Sequence, residues 1–233
     1  MQDVSPTAQH LWDVWGSSAS DVFAVGDSGA IAHWNGSGWT AMDDGLGCGC
    51  VSFYGVWGSG PNDVWAVGDA GVVLHYDGVE WALAAVLPAE WLGGVWGSAP
   101  NDIFAVGAEG AIFHYDGTDW TPMVSGLEGS GEYLNTVWGL SANDVYAPAS
   151  TGVLHYDGTT WKPLAGVPSC EHFSVWGTAP DNLFVTNLCG VDHWDGATWA
   201  YMDPGGFVAT ELWGTGPLSL LANTGQSIYR GTR

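Results

Sequence analysis

Short apolar runs alternate with polar turns along the whole chain. Over residues 54–86 the runs are YGVW, VWAV, VVLHY and WALAAV, and the segments between them are GSGPND, GDAG and DGVE. These separators consist mainly of Gly, Pro, Asn and Asp, which form tight turns. No window keeps the 3.6-residue period of an amphipathic helix. The pattern therefore predicts an all-β protein of short antiparallel strands.

The four runs form a repeat that is anchored by a Trp-Gly pair. The anchors are Trp15, Trp57, Trp96, Trp138, Trp176 and Trp213, spaced by 37 to 42 residues. Four strands in a unit of this length are typical of one β-propeller blade. Six anchors predict a six-bladed β-propeller with four antiparallel strands per blade, and residues 1–233 are expected to form this single domain. A large aromatic residue at every equivalent place indicates packing between blades.

The sixth repeat ends after its third strand, and the other end of the chain supplies a candidate for the fourth. Val4 precedes Trp15 by the same 11 residues by which Met202 precedes Trp213. Residues 1–8 are therefore expected to complete blade six. This arrangement would close the ring and remove an exposed sheet edge.

The stretch VWGSGPNDVWAVGDAGVVLHYDGVEW resembles Trp-Gly-Ser propeller repeats common in predicted extracellular bacterial proteins. It also resembles a kelch repeat, because Gly68, Tyr76 and Trp81 hold similar places. The Gly-Gly pair of kelch blades is absent, and the interval from Tyr to Trp is shorter. The resemblance covers nearly the whole chain and implies a propeller. It does not select a function, because propellers include lectins, enzymes and scaffolds.

The charge balance limits the classes of partner. There are 25 acidic residues, and the three basic ones are Lys162, Arg230 and Arg233, so the formal net charge is −22. Binding to nucleic acid needs clustered Lys and Arg and is excluded on this ground. No apolar stretch is long enough for membrane insertion. Metal cations, neutral ligands such as sugars, and basic proteins remain as partners.

The cysteines indicate an oxidising compartment. Cys170 precedes blade five and Cys189 lies in the second-to-third turn of that blade, so we predict a disulfide between them. For Cys48 and Cys50 three alternatives stay open: a tight disulfide ring, free thiols or a weak soft-metal site. The N-terminus MQDVSPTAQH lacks a signal-peptide pattern. A secreted, cell-surface or periplasmic location is nevertheless expected.

One histidine recurs at the end of the third strand in five repeats, at His33, His75, His114, His155 and His193. Third strands lie far from a propeller axis, so these residues cannot converge on one metal ion. Each is instead expected to bond to the acid that ends the first turn of its own blade, as His75 to Asp63. Asn182 takes the place of the acid opposite His193. These histidines are predicted to be structural.

Function is expected where the repeats disagree, because variable loops on a rigid scaffold are the usual binding surface. The connections between repeats bring aromatic and acidic residues to one face, a combination that suits sugars. The first hypothesis is therefore a non-catalytic, lectin-like protein that binds glycans, and the alternative is a protein-interaction scaffold with an acidic surface. The candidate ligand-binding residues are Asp43, Asp44, Glu90, Trp91, Glu128, Glu132, Tyr133, Glu171, His172, Asp203 and Glu211.

A second candidate site lies two residues before the anchor tryptophans. Four repeats have a small residue there, whereas repeats one and six have Asp13 and Glu211. Two neighbouring carboxylates repel each other, which raises one pKa or recruits a cation. The pair is expected to be an acid–base pair of a hydrolase or lyase, a calcium site, or only a polar lining of the channel.

Overall fold

The computed structural model describes residues 6–202, 208, 210–216, 219–223 and 228–232. Within these ranges all regular elements are β-strands apart from the single 3-10 turns Asp27–Gly29 and Ala108–Gly110. No helix in the described ranges is long and apolar enough to span a bilayer. The all-β class predicted from the sequence is confirmed.

The first of two compact units comprises Met1–Ala108 and Ile112–Met123. Each of its three sheets has four antiparallel strands in sequence order. Sheet one contains β1 (Leu11–Ser18), β2 (Asp21–Gly26), β3 (Ile31–Trp34) and β4 (Trp39–Met42); sheet two contains β5 (Phe53–Gly60), β6 (Asp63–Gly68), β7 (Val72–Tyr76) and β8 (Trp81–Val86); sheet three contains β9 (Leu92–Ala99), β10 (Asp102–Gly107), β11 (Ile112–Tyr115) and β12 (Trp120–Met123).

The second unit comprises Glu109–Ala111 and Val124–Arg233. Sheets four and five have four strands each, and sheet six has three within the described residues. Sheet four contains β13 (Trp138–Ser141), β14 (Asp144–Ala149), β15 (Gly152–Tyr156) and β16 (Trp161–Pro163); sheet five contains β17 (His172–Ala179), β18 (Asn182–Asn187), β19 (Gly190–Trp194) and β20 (Trp199–Met202); sheet six contains β21 (Glu211–Gly216), β22 (Ser219–Asn223) and β23 (Ile228–Thr232).

Sheet six differs from the predicted four-stranded blade. The strand expected to complete it was assigned to residues 1–8. Residues 1–5 lie outside the described residues, and Pro6, Thr7 and Ala8 belong to no strand. Among the described residues there are thus five four-stranded sheets and a sixth of three strands.

Alternate residues along the strands build the core between sheets one and two. Phe23 and Ile31 of sheet one pack with Val56, Leu74 and Trp81 of sheet two in one buried cluster. Successive side chains point to opposite faces of a strand, and β6 is buried on both faces, so it contributes to the core on either side of its sheet. Burial of each such side chain stabilises the fold by about 1.5 to 3 kcal/mol.

The Trp-Gly anchor has a packing explanation. A Cβ atom on Gly58 would lie 2.7 Å from the Trp15 ring, and one on Gly97 would lie 2.6 Å from the Trp57 ring. Each of these glycines therefore leaves room for the anchor tryptophan of the preceding sheet. Within the first unit, the predicted packing of the repeated tryptophans between successive sheets is what the structure shows.

Candidate functional site

The repeated histidines each bond within their own sheet. Nε2–H of His33, His75, His114 and His155 donates to the Asp that opens the second strand, at 2.7 Å in each case. In sheet five, His193 donates to Asn182 Oδ1 at 2.7 Å. Each ring also lies 4.3 to 4.7 Å, centroid to centroid, from an aromatic residue of the second strand. These contacts give the five histidines structural roles, and the function must be sought elsewhere.

Asp13 is also engaged by the backbone. Its Oδ1 accepts a hydrogen bond from Val14 N at 2.8 Å, and its Oδ2 accepts one from Val56 N of sheet two at 2.8 Å. Asp13 thus joins the first strands of sheets one and two. Glu211 is exposed at the start of β21, in the second unit. The described residues contain no group of three or more His, Cys, Asp or Glu side chains placed to hold a metal ion.

Two of the predicted acidic residues lie in one loop of the first unit but have different surroundings. Asp43 is exposed and accepts a hydrogen bond from Gly45 N at 2.9 Å. Asp44 is buried, and its Oδ1 accepts from Leu46 N at 2.8 Å. Asp44 therefore shapes this loop from the inside and is not presented to a ligand.

The candidates of the second unit are dispersed. Tyr133 is exposed, and the neighbouring Glu132 accepts a hydrogen bond from Ser150. Glu128 accepts from Ser125 N at 2.7 Å, and backbone donors lower its pKa. Glu171 is exposed. Asp203 lies outside the described residues.

The structure instead brings together four rings at one end of the first unit. We call His10, Trp12, Tyr54 and Trp91 the aromatic row. His10 and Trp12 have centroids 4.3 Å apart, Trp12 and Tyr54 6.0 Å, and Tyr54 and Trp91 6.2 Å. The last two pairs are edge-to-face, a favourable geometry for aromatic rings. The row runs across the N-terminal ends of β1, β5 and β9, so it spans all three sheets of the unit.

Two carboxylates accept hydrogen bonds from two of these rings. Trp12 Nε1 donates to Asp27 Oδ1 at 2.7 Å, and Tyr54 OH donates to Asp69 Oδ1 at 2.8 Å. Asp69 also accepts from Ser52 N at 3.1 Å through its other oxygen. Burial raises the pKa of Tyr54, and the bond to Asp69 adds to the increase. The phenol therefore stays a neutral donor near pH 7, and the rings have fixed orientations.

The row remains accessible although its edges are engaged. Trp12 is 46% exposed, His10 is exposed, and Tyr54 and Trp91 are half-buried. Large exposed aromatic residues in a group are uncommon on soluble proteins and mark binding surfaces. Glu90 is exposed immediately before Trp91. The arrangement offers aromatic faces and hydrogen-bond acceptors to a ligand.

Sequence reasoning identified only Trp91 and Glu90 of this surface. Trp12 and Tyr54 were missed; both lie inside strands, three residues before the anchors. The sequence did contain a signal. Three residues before the anchor, repeats one and two have an aromatic residue, whereas repeats three and four have Gly93 and Asn135, so the repeats disagree there. Asp69 lies in the GDAG segment, for which the sequence predicts only a turn, and Asp27 was not singled out.

Sheet five contains a buried polar group that has apolar counterparts elsewhere. His172 is 0% exposed and its Nδ1 donates to the Ala149 carbonyl at 3.2 Å. Asn187, also buried, donates to Asp192 at 2.7 Å. The residue equivalent to His172 in sheet two is Phe53. Burial lowers the pKa of His172, so this predicted ligand-binding residue is a neutral core histidine at pH 7.

We expect the second unit to lose stability as the pH falls below about 6.5, the ordinary pKa of histidine. The folded-state pKa of His172 is lower, so the unfolded state takes up the proton first and acid favours unfolding. The His172→Leu variant should lack this part of the pH profile. Urea unfolding at about pH 5.5 and 7.5 measures it. Equal pH dependence in both proteins would contradict the assignment.

All four cysteines are paired. Cys170 is bonded to Cys189, as predicted from the sequence, and Cys48 is bonded to Cys50. For the second pair the structure therefore selects the disulfide among the three alternatives left open by the sequence. The first disulfide joins the loop before β17 to the turn between β18 and β19.

Comparison with solved structures defines the class of protein. YCF48 from Cyanidioschyzon merolae is 19% identical to this chain, with a TM-score of 0.77. The match covers 100% of this chain and 85% of the YCF48 chain. YCF48 bound to D1 peptide is 15% identical, with 98% and 93% covered and a TM-score of 0.55. An ancestral GH74 enzyme is 15% identical with a TM-score of 0.76.

These similarities show the fold, and the chain is a β-propeller protein. The match to the GH74 enzyme covers 98% of this chain but only 37% of the enzyme's chain. At 15 to 19% identity no activity or ligand is transferred. No family model matches the chain, and no curated protein matches its sequence.

Proposed function

We propose that this chain is a non-catalytic binding protein that captures its ligand on the aromatic row of the first unit. The observation that carries the proposal is the exposed ring of Trp12, held at its polar edge by Asp27 and continued across two further sheets by Tyr54 and Trp91. A rigid scaffold that presents grouped aromatic rings and few other features fits recognition better than catalysis.

Two classes of ligand have support. A glycan, the class predicted from the sequence, would stack its apolar face on Trp12 and donate hydroxyl hydrogen bonds to the carboxylates. A polypeptide is supported by the structure of YCF48 with D1 peptide, which shows a protein of the same fold bound to a peptide. A hydrolase or calcium site at Asp13 and Glu211 has less support, because Asp13 joins the backbones of β1 and β5 and the described residues hold no group of three or more metal-ligating side chains.

The Trp12→Ala variant is expected to lose most ligand binding while remaining folded. The exposed ring contributes little to the core, but it supplies a large accessible contact surface of the row. Glycan and peptide arrays, each run with calcium and with EDTA, would compare it with the parent. The Val79→Ala variant is the control, because it removes an exposed apolar side chain from a β7–β8 turn. Unchanged binding by Trp12→Ala would exclude the aromatic row as the recognition surface.

We also propose that the six sheets are six blades of Trp-Gly-Ser or kelch-like repeats and that residues 1–8 complete the last one. The support is the Trp-Gly pair, which lies in the first strand of each of the six described sheets.

An extracellular or periplasmic location is part of the proposal. Two disulfides persist only in oxidising compartments in most organisms. The net charge of −22 supports solubility in a salty medium.

A further inference from the structure

The first unit has many acidic side chains but no lysine or arginine. Residues 1–161 contain no lysine and no arginine, so histidine is the only cationic side chain available to this unit. The carboxylates of Asp27 and Asp69 lie at the aromatic row, and Glu90 is exposed beside it. A ligand with a positive charge would supply what the unit lacks.

The carboxylates at the row retain hydrogen-bonding capacity. Two donors of the row, Trp12 Nε1 and Tyr54 OH, are already used by Asp27 and Asp69. Each carboxylate oxygen can accept a second hydrogen bond, so the surface retains acceptors. A sugar hydroxyl both donates and accepts, whereas an ammonium or guanidinium group only donates. The acceptors that remain on these carboxylates therefore suit an ammonium or guanidinium group.

The ring geometry favours the same ligand. Trp12 and Tyr54, and Tyr54 and Trp91, meet edge to face and present faces in different directions, so they do not form one flat stacking platform. A small cation is attracted to the face of any of these rings, most strongly to Trp. The carboxylate at the edge of Trp12 adds negative potential to that face.

We propose that the aromatic row binds the cationic side chains of a basic polypeptide segment. The inference rests on the proposed function and assigns it a partner class. Aromatic faces provide the contact surface, and the three acids provide charge complementarity. Lysine and arginine side chains, with apolar stems and charged ends, satisfy both.

The test uses the whole chain and a fluorescent Gly-Ser peptide with three evenly spaced lysines. Two matched peptides replace lysine by trimethyllysine, which keeps the charge but has no N–H donor, or by norleucine, which is neutral. Anisotropy titrations at about 0.15 M salt limit long-range attraction to the acidic surface. We expect the lysine peptide to bind most tightly, the trimethyllysine peptide a few-fold more weakly because it cannot donate to the carboxylates, and the norleucine peptide at least about tenfold more weakly.

Protein variants assign the binding to the row. Trp12→Leu is expected to weaken binding of the lysine peptide about fivefold, and Trp12→Phe should restore part of it because an aromatic face returns. Glu90→Gln should weaken binding about twofold to threefold. Glu80→Gln makes the same charge change at an exposed acid of the β7–β8 turn and should have a smaller effect.

Each contrary result has a distinct meaning. Equal binding of lysine and norleucine peptides, still dependent on Trp12, overturns the cationic partner but keeps the row as a binding site. Glycan binding that depends on Trp12, with no binding of any peptide, also overturns the cationic partner and keeps the row as a binding site. Lysine-peptide binding that is indifferent to Trp12 and weakened equally by Glu80→Gln and Glu90→Gln shows diffuse attraction and overturns the inference. If Trp12→Leu binds every ligand as well as the parent protein does, the proposed function is overturned as well.

Discussion

The Asp63→Ala variant is expected to lower the free energy of unfolding by about 2 to 3 kcal/mol. Asp63 accepts hydrogen bonds from His75 Nε2 at 2.7 Å, from Trp65 Nε1 at 2.9 Å and from Ser59. Alanine leaves all three donors without this acceptor. The side chains of His75 and Asp63 are 32% and 25% exposed, so solvent reduces the loss below the sum for three buried bonds. Urea unfolding followed by tryptophan fluorescence measures it.

The chain itself provides the control for this experiment. Sheet five has Asn182 at the equivalent place, with His193 bonded to its Oδ1 at 2.7 Å and its Nδ2 donating to Thr178 at 2.6 Å. Asp63→Asn keeps an acceptor for His75 and should therefore cost less than about 1 kcal/mol. Equal destabilisation by alanine and asparagine would show that hydrogen bonding is not what makes this position important.

The Gly97→Ala variant is the second large effect, with an expected loss of about 2 to 3 kcal/mol. The added methyl group would lie 2.6 Å from the Trp57 ring and 2.8 Å from the Asp102 carbonyl oxygen. Both contacts are shorter than van der Waals distance, and the carbonyl belongs to a paired strand that cannot move alone. Sheets two and three must then separate or the tryptophan must leave its place.

Gly60→Ala serves as the comparison, because a Cβ atom there meets nothing within 4 Å. It should change the free energy of unfolding by less than about 0.5 kcal/mol. Thermal unfolding of both variants beside the parent checks the pair. A tolerant Gly97→Ala would mean that the Trp-Gly anchor does not transmit packing between sheets.

Repetition made much of the fold predictable from the sequence. The bond between His75 and Asp63 could be predicted because the same two residue types recur 11 or 12 residues apart in four repeats. The Trp-Gly anchor could be predicted in the same way. The pair Cys170 and Cys189 followed from the placement of both residues at one end of one blade.

The aromatic row could not be found in this way, because its members come from different places in their repeats. Trp12 and Tyr54 lie three residues before the anchor, but Trp91 lies five before it. Only the side-by-side placement of β1, β5 and β9 brings them together. Burial was equally hidden: Asp43 and Asp44 are adjacent in sequence, and only the second lies inside the loop, against Gly29.

The connectivity of the sheets has a consequence for how the chain acquires its structure. Every strand pair within sheets one to five joins strands that follow each other in the sequence, and the histidine bonds span only 11 or 12 residues. Local strand pairing of this kind lowers the contact order below that of all-β folds whose strands pair across the chain, and this favours faster folding. Each repeat can form its hairpins as it leaves the ribosome and then add its hydrophobic face to the preceding sheet, so assembly advances from repeat to repeat.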